Sequence, residues 1–197
     1  MSASTSRPRT KPMGSVSLVA VGPGDPDLIT LRAAALLRDA DVVIADIDVV
    51  NIAKAFVSES TNIVPALDDY GLPLENSARA KLVTDAAKGG RNVVRLYSGD
   101  PLLDGALPTE AAVLVKNKIA FDIAPGVSTL TGIPAYAGVG LLGGKAREVR
   151  VVDADDPAVD WAQHVDPRIT LVVLGGADRV VEIAKILAAA GRPTSTP

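Results

Sequence analysis

Val19-Ala20-Val21-Gly22-Pro23-Gly24-Asp25-Pro26-Asp27-Leu28-Ile29-Thr30 is the stretch whose reading decides the fold. An apolar run ends in a Gly-Pro-Gly-Asp turn, and helix-forming residues begin just after it. In an open α/β sheet, ligands bind outside the carboxyl ends of the strands, which is where such a turn lies. Gly22 and Gly24 can take positive φ and let another molecule approach the backbone closely. Pro23 stiffens the turn and removes one N–H. Alone, the stretch is also a plain strand-to-helix turn with Asp25 as a cap. The rest of the chain decides between the two.

Downstream, strands and helices alternate. Residues 15–21 form the first strand, and Thr30 caps a helix over 31–38 that is rich in Ala and Leu. Residues 41–46 (Asp-Val-Val-Ile-Ala-Asp) are a second strand, 49–58 a short helix and 62–65 a weak third strand. A polar loop over 68–75 leads to a helix over 78–88, stopped by Gly89-Gly90. The strand over 92–96 runs into a second turn, Tyr97-Ser98-Gly99-Asp100-Pro101. A helix over 110–116 and a strand over 119–124 lead to a third, Pro125-Gly126-Val127-Ser128-Thr129. The strands are near-continuous apolar runs, which suits a parallel sheet covered on both faces. Glycine- or proline-rich turns on several strand ends would gather on one edge of that sheet and mark a ligand cleft.

The Gly-rich segment 135–144 reads as a domain boundary. The expected organisation is a short disordered tail over 1–14, an N-terminal α/β domain over 15–140 and a second α/β domain over 145–197. The second domain offers strands over 147–153 and 169–174 and a helix over 180–190, too little to close a core, so it is expected to be incomplete at Pro197.

Composition narrows the chemistry. The chain has 197 residues, a net charge of −3 and no cysteine, which removes disulfides and thiolate metal sites and gives no bulk attraction for nucleic acid or anionic membranes. One histidine, His164, leaves little for a multi-histidine metal centre or a serine–histidine relay. No apolar run approaches the ~20 residues of a membrane span. The first residues lack the apolar core of a signal peptide, so a cytoplasmic protein is expected.

The order of these turns resembles the tetrapyrrole (corrin/porphyrin) methylases. The likeness runs through Gly22-Pro23-Gly24-Asp25, Thr30-Leu31-Arg32-Ala33, Ala40-Asp41-Val42-Val43 and Val93-Val94-Arg95-Leu96. It continues through Ser98-Gly99-Asp100-Pro101, Pro125-Gly126-Val127-Ser128, Ala135-Tyr136-Ala137-Gly138 and Gly191-Arg192-Pro193. Within the family, the uroporphyrinogen-III C-methyltransferases are nearest. The resemblance implies an S-adenosylmethionine cleft between two α/β domains, a tetrapyrrole substrate and a homodimer. It places Pro23, Ser98, Gly99, Asp100, Leu103, Ser128, Thr129 and Gly175 at the cofactor, and Asp46 as the base that removes a ring proton. The Ala/Val-rich composition is similar to actinobacterial fusions of such a domain with a uroporphyrinogen-III synthase domain.

Most departures fall on the substrate side. Where the family has Arg after its catalytic Asp, this chain has Ile47. Its Gly-Lys-Arg, with the Lys as proton donor, is replaced in Pro65-Ala66-Leu67-Asp68. Its Phe-Gly-Arg-Gly-Gly-Glu-Glu becomes Asp104-Gly105-Ala106-Leu107-Pro108-Thr109-Glu110, and its Pro-Leu-Thr-His-Arg becomes Gly140-Leu141-Leu142-Gly143-Gly144. Leu174-Gly175-Gly176 lacks the methionine that the family sets against the cofactor. Uroporphyrinogen carries eight carboxylates, and a pocket for it calls for the cations that are missing here. Two functions are therefore expected: a tetrapyrrole C-methyltransferase, or a non-catalytic methylase-like domain attached to a synthase. A nucleotide-binding module ranks below both, because neither Gly-x-Gly-x-x-Gly nor Gly-Lys-Ser/Thr occurs.

Overall fold

The computed structural model describes residues 14–103 and 105–196. All but the last residue of the lead-in expected at 1–14 lies outside that range. The chain divides into two compact units between Gly132 and Ile133.

The first unit holds β1 (Val16–Ala20), α1 (Leu31–Arg38), β2 (Val42–Ala45), α2 (Val50–Phe56) and β3 (Asn62–Pro65). After these come α3 (Asn76–Lys88), β4 (Val93–Tyr97), α4 (Ala106–Lys116) and β5 (Phe121–Ala124). The strands form one parallel sheet in the order β3-β2-β4-β1-β5. Val16 stands beside both Val93 and Phe121, and Val42 beside both Val93 and Asn62. Val-, Ile- and Leu-rich strands suit this arrangement because the central ones are covered on both faces. β1, β2 and β4 are buried along their whole length.

Helices occupy both faces. Val19, Val43 and Leu96 meet Ala33 and Leu37 of α1 and Ile52 and Ala53 of α2 in one cluster. Leu18, Ile44 and Tyr97 meet Val83 and Ala87 of α3 and Leu114 of α4 in another. The connection leaving β1 runs toward β2, whereas the connection leaving β4 runs toward β5. β1 and β4 are neighbours whose connections leave in opposite directions over opposite faces of the sheet, so the topological switch point lies between them.

The local signals behave as their chemistry requires. Thr30 caps α1 by accepting from the Ala33 N–H at 3.1 Å. α4 starts four residues earlier than the expected 110–116. Pro108 is the reason the expectation fell short: it reads as a breaker, but in the first helical turn its missing N–H has no partner to lose.

α5 (Thr129–Tyr136) spans the division. The second unit contains β6 (Glu148–Asp153), β7 (Ile169–Leu174) and α6 (Val180–Ala189). β6 and β7 pair in parallel as a two-stranded sheet. Of this unit's hydrophobic residues only Val152, Ala154 and Ile183 are buried among the described residues, while Val139, Leu142, Val180 and Val181 are more than half exposed. His164 is half-buried, with its ring edge-on to Trp161 at 6.3 Å. Among the described residues no helix is long and apolar enough to cross a membrane.

Candidate active site

Three turns converge at the carboxyl end of the switch point. β1 runs into Gly22-Pro23-Gly24-Asp25, β4 into Ser98-Gly99-Asp100, and β5 into Pro125-Gly126-Val127. The Val21 N–H donates to the Tyr97 carbonyl at 3.2 Å, and one residue on, Gly22 and Gly99 pair in an antiparallel bridge. Both have positive φ, +86° and +59°. The third turn lies against the first. A Cβ added to Gly126 would stand 2.8 Å from the Ala20 oxygen and 3.0 Å from the Gly22 nitrogen. A Cβ on Gly132 would stand 3.2 Å from the Pro23 ring. At Gly126 backbone therefore meets backbone where a larger residue could not fit.

These contacts bring Pro23, Ser98, Gly99, Asp100, Ser128 and Thr129 to one edge. A Cβ on Gly99 would lie 3.5 Å from Thr129 Cγ2. Asp100 accepts from the Leu102 N–H at 3.2 Å, and its carbonyl accepts from the Leu103 N–H at 2.9 Å, which folds Leu103 back onto the turn. Asp25 caps the short turn after β1 by accepting from the Asp27 N–H at 2.9 Å. Gly175 belongs to the second unit, is exposed and has φ +67°.

Asp46 follows β2 on the same edge, as expected. Its carboxylate already has partners. Arg95 Nη2 donates to Oδ1 at 2.7 Å and Arg79 Nη1 to the same oxygen at 3.2 Å. The Ser98 N–H donates to Oδ2 at 3.1 Å, and the Ser98 hydroxyl contacts Asp48.

Behind Asp46 lies a buried ionic network. Arg95 is 0% exposed and Glu110, from α4, is 1% exposed. Arg95 Nε donates to Glu110 Oε2 at 2.9 Å and Nη2 to Oε1 at 3.1 Å, a bidentate pair. Arg95 Nη1 donates to the Leu96 carbonyl at 2.7 Å. The Tyr97 hydroxyl donates to Glu110 at 3.2 Å, and the Arg95 guanidinium lies 4.1 Å over the Tyr97 ring. Burial opposes the charge on Arg95, but the hydrogen bond and charge of Glu110, with the charge of Asp46, outweigh it and raise the pKa. Burial first and the Glu110 charge second push the Tyr97 phenol well above its ordinary range, so it stays protonated.

Sequence reasoning carried Arg95 only as part of the Val93-Val94-Arg95-Leu96 motif; in the structure it is buried in an ion pair. That reasoning gave no role to Arg79, Tyr97 or Glu110. One signal existed: a guanidinium in the strand Val93-Val94-Arg95-Leu96-Tyr97 must be paired if the strand is buried. Nothing local identifies Glu110, which is 15 residues away on another element.

A parallel sheet with its glycine turns interlocked at the switch point defines an open α/β domain. The signature of the tetrapyrrole (corrin/porphyrin) methylases matches residues 15–197, and the chain belongs to that family. A siroheme synthase of Azotobacter vinelandii is 37% identical over 198 residues, covering 95% of this chain and 42% of that protein. A siroheme synthase of Pseudoalteromonas translucida is 32% identical, covering 96% of this chain. The chain thus spans about two fifths of the length of these relatives. Uroporphyrin-III C-methyltransferase from Thermus thermophilus, solved in complex with S-adenyl homocysteine, superposes with a TM-score of 0.71 at 32% identity over 91% of this chain and 74% of that one. A cobalt precorrin-4 methyltransferase superposes at 0.77 with 22% identity, a likeness of fold.

Proposed function

We propose that this chain is the S-adenosylmethionine-dependent C-methyltransferase part of a tetrapyrrole-modifying enzyme, with uroporphyrinogen III or a close relative as substrate. The interlocked turns carry this reading. Gly22, Gly99 and Gly126 leave backbone where side chains would close the edge, and Asp100 offers a carboxylate acceptor beside them. These features fit a ligand with an ammonium group and a flexible thioether-like chain. The relative of known structure that binds S-adenyl homocysteine supports it further. Pro23, Ser98, Gly99, Asp100, Leu103, Ser128 and Thr129 are the proposed contacts. The bound cofactor supplies an electrophilic methyl group, and the chain's own contribution is to hold the two reactants in line.

A second reading is favoured by one observation. Residues 65–68 carry no lysine where the family has its proton donor. A domain that binds the cofactor without transferring its methyl, attached to a uroporphyrinogen-III synthase, would show this pattern. In either case we take the chain to act in the cytoplasm as a homodimer. Incubation with isotopically methyl-labelled S-adenosylmethionine and uroporphyrinogen III separates the readings. Label in the tetrapyrrole supports the transferase; cofactor binding without label in any product supports the non-catalytic domain.

A further inference from the structure

The five loops that leave the carboxyl edge of the first unit's sheet carry no cation. They are residues 21–30, 46–49, 66–75, 98–105 and 125–128, and none contains Lys, Arg or His. Four of the five carry acidic residues, with Asp27, Asp48 and Asp69 exposed. We propose that the tetrapyrrole this edge accepts is poor in ionised carboxylates, unlike the octacarboxylate uroporphyrinogen III, and is held by apolar contact. The assignment rests on the reading above, that this edge serves an S-adenosylmethionine-dependent tetrapyrrole methyltransferase, and narrows the substrate to the less acidic relatives of uroporphyrinogen.

Three observations carry it. First, the strands are all parallel, so these loops share one edge and their charges act together. A substrate carboxylate approaching that edge meets like charge, which selects against it. A cofactor with sulfonium and ammonium groups meets opposite charge there. Second, the two arginines behind Asp46 are already matched. Arg95 is wholly buried against Glu110 and Asp46, and Arg79 lies 3.2 Å from Asp46 and 3.4 Å from Glu110. Cations and carboxylates balance in that network, which leaves no surplus positive charge for an anionic substrate. Third, apolar side chains stand out on Asp46's own loop and on the next one in the sheet. Ile47 is 51% exposed. β3 lies beside β2, and the loop after β3 is closed into a tongue by the Leu67–Pro73 bridge. The Asp68 carboxylate tightens its turn by accepting from the Tyr70 and Leu72 N–H groups, each at 2.9 Å. The tongue presents Tyr70 and Leu72, 90% and 61% exposed. An aromatic ring and branched apolar side chains offer an apolar macrocycle a contact surface. Ionised groups around the macrocycle would have to shed water there without gaining a partner.

The test is binding of oxidised porphyrins to the full chain in excess S-adenosylhomocysteine, read by porphyrin fluorescence, which needs no methyl transfer. Uroporphyrin III, coproporphyrin III and mesoporphyrin serve as an octa-, a tetra- and a dicarboxylate. The proposal predicts Kd values that fall in that order, by at least about tenfold from first to last. It also predicts that this ratio shrinks at least about threefold between low salt and ~0.5 M, as the repulsion is screened. Charge is isolated from apolar contact with the double variant Ile47→Lys/Asp69→Lys, which should tighten uroporphyrin at least about tenfold more than mesoporphyrin. Uroporphyrin binding as tightly as mesoporphyrin, no porphyrin binding at all, or a preference that neither salt nor the variant changes overturns the proposal. Each of these results leaves the cofactor reading intact so long as S-adenosylhomocysteine binds. Absence of S-adenosylhomocysteine binding by the unsubstituted chain overturns that reading, and the proposal with it. If the variant does not fold, the salt series on the unsubstituted chain still decides.

Discussion

Gly22 and Gly99 meet in an antiparallel bridge across the ends of two parallel strands, at the switch point of the sheet. Each has a φ that only glycine adopts at little cost. The pairing seals the first two turns to each other, and Gly126 seals the third beneath them.

Gly126→Ala tests the third seal. Its Cβ would stand 2.8 Å from the Ala20 oxygen, and both neighbours are backbone, so the sheet edge itself must shift. The expected loss is about 1–3 kcal/mol of stability, as for overpacking elsewhere, with weaker S-adenosylhomocysteine binding. Gly24→Ala is the control. It has φ +105° and nothing within 4 Å, so only backbone strain of roughly 1–2 kcal/mol is expected. Urea denaturation and calorimetry on both variants check the difference.

The buried pair makes a different prediction. Glu110→Ala removes the wholly buried carboxylate partner of Arg95 and leaves the guanidinium to the partly exposed Asp46, and breaking one side of such a buried pair costs about 3–5 kcal/mol. Removing both charges, as Arg95→Met with Glu110→Leu, should be much less damaging to stability than Glu110→Ala alone. It should still loosen the cofactor turn, because Asp46 loses its support. Chemical denaturation of the single and double variants measures the first claim, and ligand titration the second.

Stability should fall at both ends of the pH scale for identifiable reasons. Burial is the largest single influence on Asp122 and raises its pKa, but the hydrogen bonds from Ser17 and Arg32 and the Arg32 charge together outweigh it and hold the carboxyl below its ordinary 3.8. A depressed folded value stabilises above the unfolded pKa and is lost as pH falls through the folded one. Asp122→Asn should therefore flatten the decline below about pH 4. Tyr97 behaves oppositely. Its raised value favours the protonated phenol in the fold, so its contribution is complete below pH 10 and is lost as pH rises beyond it. Tyr97→Phe should remove that part of the alkaline decline. Urea midpoints across pH 3–11 test both.

The strands and most helices were legible because apolar runs and caps act locally. The start of α4 was not, since Gly105 and Pro108 are breakers by composition and an N-terminal turn by position. At the site, the turn residues could be read because glycine and aspartate at strand ends carry their conformational meaning in the chain. The state of Asp46 could not. Its partners lie on α3 and β4 and in the turn after β4, 33 and 49 residues away for the two arginines. Only the sheet order brings them together. The order of strands also decided which turns touch, and no spacing in the sequence specifies that Gly22 meets Gly99.

The central claim is that the interlocked turns form an S-adenosylmethionine site, and titration calorimetry of the unsubstituted chain with S-adenosylhomocysteine tests it most directly. The account predicts saturable binding at one site per chain, lost or strongly weakened in Asp100→Ala. Absence of binding heat at millimolar ligand, from a chain whose thermal unfolding shows it to be folded, would contradict it.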